Sequence, residues 1–322
     1  MEIIPLLLLV LVCGALLLGY PVALTLAGVS ILFSLLCIPA GIFDPNIFKS
    51  IPLRIFGIMN NVTLLAVPLF IFMGTILERS GIAGRMLENM ALAFKNIRGG
   101  LSISIIVVGA LLAASTGIVG ATVVTMGLMS LPVLIQQGYK KDFSTGLVAA
   151  TGTLGQIIPP SIALVLLGDV MSNAYQRAQN NMGIFSQKTV TVGDLFIGAI
   201  VPGILICTSY LMYTIYQNSK NPNIYFSPDA TSPPSAEILK TLALPLMLIV
   251  LVLGSIIGGI ATPTEAAAIG AMGAMIIALV NGKLTLGFLK ETSEKTAIVT
   301  TMIFTILIGA SIFSLILSLI HI

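Results

Sequence analysis

Charge is scarce in this chain. Only 8% of its 322 residues are Asp, Glu, Lys or Arg, against about 25% in a soluble globular domain. With 57% hydrophobic residues and a mean hydropathy of +1.09, that shortage excludes the soluble classes and indicates an integral membrane protein. The apolar runs are unbroken rather than alternating, so the spans read as helices and not as barrel strands. A net charge of +3 spread over loops gives no case for nucleic acid, and the lipid bilayer is the partner that composition implies. Histidine is almost absent, His321 being the only one. The three cysteines, Cys13, Cys37 and Cys207, lie inside apolar runs without ligand spacing or a disulfide framework. No metal-hydrolase cluster, Ser/His/Asp set or paired carboxylates at helical spacing can be assembled, so no enzyme is expected. The first apolar run, Ile3–Leu18, has no basic residues before it and leads at once into a second. It reads as a span rather than a cleavable signal.

What is present is a series of apolar segments with breaks. Helices are predicted over Ile3–Gly19, Val22–Ile38 and about Val62–Leu77, with a polar loop Pro39–Arg54 before the third. An amphipathic stretch follows to Arg98, carrying Arg79, Arg85, Lys95 and Arg98 along an interface. Gly99–Tyr139 has two apolar arms of about thirteen residues around the polar centre Ala114–Thr122, whereas a crossing needs about twenty. It therefore reads as a re-entrant hairpin, whose tip lines a cavity because lipid does not tolerate irregular backbone. Beyond it are a long apolar segment, Phe143–Leu167, broken at Pro159-Pro160, an external polar loop 169–194, a span 195–216 and a cytoplasmic linker 217–240. The basic residues flanking the hairpin place both its ends in the cytoplasm and the N-terminus outside.

After the linker the pattern restarts. Residues 241–322 repeat the order span, proline-marked turn, span, loop, span, and Pro21 precedes Gly28 by the same interval as Pro263 precedes Gly270. Counted through the loops, the second set is inverted, which is a transporter signature. This second repeat is expected to be incomplete, with about a hundred further residues needed to supply a second hairpin.

The hairpin tip and Thr151–Ser161 form the candidate site. Proline frees carbonyls of the preceding turn and glycine lets the chain leave helical geometry. Such carbonyls, with the hydroxyls of Ser115, Thr116, Thr151, Thr153 and Ser161, are hard oxygen ligands suited to an alkali cation. Helix N-termini at the same breaks favour an anionic group. The candidate binding residues are Ser115, Thr116, Gly117, Ile118, Thr153, Gly155, Ile158, Pro159, Pro160 and Ser161. Glu265 could be an intramembrane proton carrier, but Thr262-Pro263-Thr264-Glu265 reads as a capping box, and the structural role is preferred. Lys49, Arg54, Asp169 and Asp194 read as solvated loop charges, and the fourteen methionines as packing.

These segments resemble the large membrane subunit of tripartite ATP-independent periplasmic (TRAP) transporters. The likeness is carried by Leu64–Gly74, Arg98-Gly99-Gly100-Leu101, Gly152–Ser161 and Thr262–Ala267. It implies an all-α, elevator-type, inverted-repeat importer of organic acids in the bacterial inner membrane. It implies no cofactor beyond sodium as coupling ion, and two partners: a small four-helix membrane subunit and a periplasmic substrate-binding protein. Residues 1–78 would then be scaffold, 79–98 an interfacial arm, and 99–168 the transport-domain hairpin and broken helix. The family's first sodium site would fall on the carbonyls of Thr116, Ile118, Gly155, Ile158 and Pro160. Hydroxyl ligation at Ile118 and Val119 is impossible here. The insert 171–194 resembles a branch that includes 2-oxo acid transporters. Without a second hairpin the chain alone is expected not to transport. A different sodium/anion symporter of related architecture, or a non-transporting remnant, stays open at this point.

Overall fold

Glycines and prolines cut the apolar runs into helices at sites visible in the sequence. The computed structural model describes residues 3–39, 41–117, 119–184, 188–220 and 235–320. Among the described residues all regular structure is helical. The α-helices are α1 (Ile3–Leu17), α2 (Val22–Cys37), α3 (Ile51–Met59), α4 (Ala66–Arg79), α5 (Ile82–Ala93), α6 (Gly100–Thr116) and α7 (Val119–Gln136). They continue as α8 (Lys141–Thr153), α9 (Ile162–Asn181), α10 (Val192–Lys220), α11 (Ser235–Ile257), α12 (Pro263–Val280) and α13 (Leu286–Ile320). By length and composition α10, α12 and α13 can cross a membrane, and Pro45–Met59 with Thr63–Arg79 makes a fourth span if counted as one bent pair. The apolar side chains of Val201, Ile204, Leu205 and Met212 on α10 are exposed. In water such a helix would aggregate, whereas in a bilayer that surface meets lipid.

The chain divides into two compact units, Met1–Val62 with Ala297–Ile322, and Thr63–Thr296. In the first, Leu8, Val12, Phe33, Cys37, Phe43, Ile312 and Ile316 form the core. Gly309 lets α13 close on α2: a Cβ there would lie 2.3 Å from the Ala23 carbonyl oxygen. In the second unit α4 packs on α12 through large side chains against small ones. Phe70, Ile71 and Met73 are buried on α4, and Ala266, Ala267, Gly270, Ala271 and Ala274 on α12. A Cβ on Gly270 would sit 2.7 Å from Met73 Sδ. The sequence segments Leu64–Gly74 and Thr262–Ala267 are thus partners in one helix pair, a close approach that small residues allow.

Several expectations need correction. The stretch expected as loop Pro39–Arg54 contains a 3-10 turn, Pro45–Ser50, and the start of α3. The loop expected from Asp169 is helical as far as Asn181, and the charged loop before Ala297 is the first part of α13. Polarity misled in both places, because these helices run beyond their apolar parts. Most of the linker, 221–234, lies outside the described residues, as do Ile118 and His321. Of residues 1–78, expected as scaffold, those up to Val62 fall in the first unit and those from Thr63 in the second. The hairpin arms are 17 and 18 residues long, not thirteen, because the Ser/Thr/Gly centre is itself helical up to Thr116 and from Val119. At 1.5 Å per residue each reaches about 26 Å, so arm length alone does not separate a hairpin from two crossings.

Pro263 follows Pro21 by 242 positions. Shifted by that interval, α2 falls on 264–279, beside α12, and Pro45–Arg79 falls on 287–321, beside α13. Pro45–Arg79 is interrupted at 60–62, whereas α13 is one continuous helix.

Candidate ion and substrate site

Two glycine turns define the hairpin. At its base Gly99 has φ +75°, and a Cβ there would collide with Asn218 Nδ2 at 1.9 Å. A Cβ on Gly100 would meet the Phe94 carbonyl oxygen at 2.0 Å. Only glycine permits both approaches, which explains Arg98-Gly99-Gly100-Leu101. Asn218, on α10, donates from Nδ2 to Ser102 Oγ at 2.9 Å, and Ser102 Oγ donates to the Gly99 carbonyl at 2.7 Å. Tyr139 OH reaches Ser102 Oγ at 3.5 Å, and burial pushes its phenol above the ordinary value.

The tip turns at Gly117, which has φ +59° and is buried. Its carbonyl accepts a hydrogen bond from Gln156 Nε2 at 3.0 Å, and a Cβ there would lie 3.2 Å from Ile162 Cγ1. The tip therefore docks on the break between α8 and α9. Two glycines make that docking close. A Cβ on Gly109 would meet Thr151 Cγ2 at 2.0 Å, and one on Gly152 would meet Val123 Cγ2 at 2.3 Å. These contacts draw α6, α7 and α8 together.

At the break, α8 tightens into a 3-10 turn, Leu154–Gln156, and a cis Pro159-Pro160 bond follows. The amides of Ile157 and Ile158 both donate to the Leu154 carbonyl at 2.9 Å. Ser161 Oγ donates to the Gln156 carbonyl at 2.9 Å and accepts from Leu164 N at 3.4 Å, capping α9. Among the described residues no donor reaches the carbonyls of Gly155, Ile158 or Pro160. Gly155, Pro159, Pro160 and Ser161 are buried and Ile158 is half-buried. Buried carbonyls without donors are costly. Together with the N-terminus of α9 they make a setting for a cation and an anionic group.

Gly117, Gly155, Ile158, Pro159, Pro160 and Ser161 thus gather at one place. Ser115 and Thr116 end α6 next to the tip, and their side chains lie outside the described part of the structure. Thr153 stands apart: it is exposed, and its hydroxyl donates to the Ala150 carbonyl of its own helix at 2.7 Å. Gln156 is the residue missed. A lone amide side chain inside an apolar run was the available signal.

The other proline-marked start is built differently. Thr262 caps α12, with Glu265 N donating to its Oγ1 at 3.3 Å, while Glu265 Oε2 accepts from Thr262 N at 2.8 Å. Thr191 and Asp194 repeat this reciprocal arrangement at the start of α10. Both starts line a cavity of about 440 Å³ that Asp169 and Ser172 also border.

Residues 8–322 match the family described as "Tripartite ATP-independent periplasmic transporter, DctM component". Similar curated proteins include the C4-dicarboxylate TRAP transporter large permease DctM of Vibrio cholerae, 34% identical over 84% of this chain and 55% of that protein. The sialic acid TRAP transporter large permease SiaM of the same organism is 32% identical over 90% of this chain and 64% of its own length. The ectoine/5-hydroxyectoine large permease UehC of Ruegeria pomeroyi is 31% identical, over 77% and 54%. The chain thus spans between about half and two thirds of the length of these relatives. With a family match from residue 8 to residue 322, the chain belongs to the DctM component family of tripartite ATP-independent periplasmic transporters.

Proposed function

We propose that this chain forms membrane-embedded machinery of a sodium-coupled importer of organic acids, with sodium held between the hairpin tip and the α8–α9 break. The observation that carries this reading is the Gln156–Gly117 bond beside the donor-free carbonyls of Gly155, Ile158 and Pro160. Carbonyl oxygens of this kind suit sodium, and the N-terminus of α9 suits a substrate carboxylate. Thr116 and Ile118 would complete the cation's shell.

Where the tip docks supports a re-entrant hairpin. α6 ends and α7 begins at the start of α9, and the apolar part of α9 continues from Ile162 to Gly168 before Asp169. Seven residues at 1.5 Å each leave about 10 Å of apolar depth beyond the tip. The tip would then lie inside the hydrocarbon region, where irregular backbone needs protein around it. Elevator movement of hairpin and broken helix against the remaining helices would carry the site across the membrane. The inverted repeat, N-terminus outside, would sit in the bacterial inner membrane with a small four-helix subunit and a periplasmic binding protein as partners. The relatives' names supply the substrate range to be tried: C4-dicarboxylates, sialic acid and ectoines.

Uptake into proteoliposomes holding the full-length permease and both partners tests this reading. An inward sodium gradient is expected to drive accumulation of one such acid, and Gln156→Leu to reduce it at least tenfold. Equal uptake with potassium replacing sodium would overturn the proposal.

A further inference from the structure

The corner between α4 and α5 meets α13 through paired charges. Glu78 and Arg79 end α4, and Glu291 and Lys295 stand four residues apart on α13, so they share a face. Lys295 Nζ donates to Glu78 Oε2 at 3.0 Å, and Arg79 pairs with Glu291. Arg85 adds a bond from Nη2 to Asn281 Oδ1 at 2.8 Å. The second carboxylate oxygen, Glu78 Oε1, accepts from Thr125 Oγ1 at 3.0 Å, and Thr125 belongs to α7, the second hairpin arm. The Glu78 side chain is only 16% exposed, so both bonds act partly withdrawn from water. Beside it lies a gap no larger than a water molecule, bordered by Ala83, Leu112, Thr122 and Met126. Three polar links therefore hold α4 and α5 to the 281–295 region. Here the hairpin also meets them through the Thr125–Glu78 hydrogen bond, set among packed side chains beside that small gap.

We propose that Glu78 is a positioning residue for the hairpin, its carboxylate coupling α7 to α13. When the hairpin is displaced, the Thr125 bond breaks while the Lys295 pair remains. That the hairpin moves rests on the transport reading above; the coupling does not. Hydrogen exchange on the full-length permease in lipid nanodiscs tests the coupling directly. Thr125→Val keeps the shape and removes the donor, and is expected to speed exchange across 122–136 about tenfold, the loss of one charge-assisted bond. α4 and the start of α13 should be unchanged, and Thr125→Ser should restore the slow rate. Glu78→Gln keeps a neutral acceptor but loses the ion pair, and should speed exchange in both α7 and 286–296. An unchanged rate in Thr125→Val, or a rise spread evenly through α12 as well, would overturn the proposal. If the local pattern holds while no variant or parent shows sodium-driven uptake, the coupling stands and the transport reading falls.

Discussion

At 153–162 and again at 258–263 the chain ends one helix, passes proline and starts another. The second junction caps its new helix locally and stands exposed. Thr262 and Glu265 exchange hydrogen bonds, Pro263 occupies a position that needs no amide donor, and the ends of the arrangement are exposed. At the first, a double proline follows a 3-10 turn, Gly155 and 159–162 are buried, and the carbonyls of Gly155, Ile158 and Pro160 are left without donors among the described residues. A long-range polar tether, from Gln156 to Gly117, joins it to the hairpin tip. Proline alone does not mark a site. The difference lies in whether the polar groups freed at a break stand exposed beside a capped helix start or are held inside the fold.

The contrast can be broken most forcefully at the tip. Gly117→Val puts a β-branched side chain at φ +59° and against Ile162. It is expected to cost about 3 kcal/mol from left-handed strain and crowding and to abolish sodium-dependent stabilisation in thermal unfolding. Gln156→Leu should cost less, about 1–2 kcal/mol for leaving the Gly117 carbonyl unpaired, yet still remove most of the sodium response. Thr262→Ala should cost about 1 kcal/mol for a lost cap while leaving the sodium response intact. Glu265→Gln preserves the reach-back to the Thr262 amide, so sodium-driven uptake should survive it. Loss of uptake with an intact fold would instead make Glu265 a proton carrier. Thr153→Val is expected to do least, since its hydroxyl bonds only within its own helix.

Much of this contrast was legible in the residues. Pro159-Pro160 after Gly155 marked the broken helix, and threonine three positions before Glu265 spelled a cap, because both signals are local. Less legible were features set by distant packing. Gly99 reads as a turn residue until Asn218, more than a hundred positions away, is seen against it. Ser115, Thr116 and Gly120 read as a non-helical centre, but Gly109 and Gly152 bring three helices close enough for tertiary contact to override weak propensity there. The polar ends of α9 and the charged start of α13 read as loops because periodicity cannot tell a solvated helix from a loop once the apolar stripe stops. Gln156 carried no special spacing, and its role appears only when the hairpin folds back on it.

Sodium binding is the most direct test. Radiolabelled sodium should bind the purified protein saturably, without competition from potassium, and Gln156→Leu should weaken that binding at least tenfold while Glu265→Gln leaves it unchanged. Binding that is absent, or that Gln156→Leu and Glu265→Gln alter equally, would contradict the assignment of the ion to the hairpin tip and the α8–α9 break.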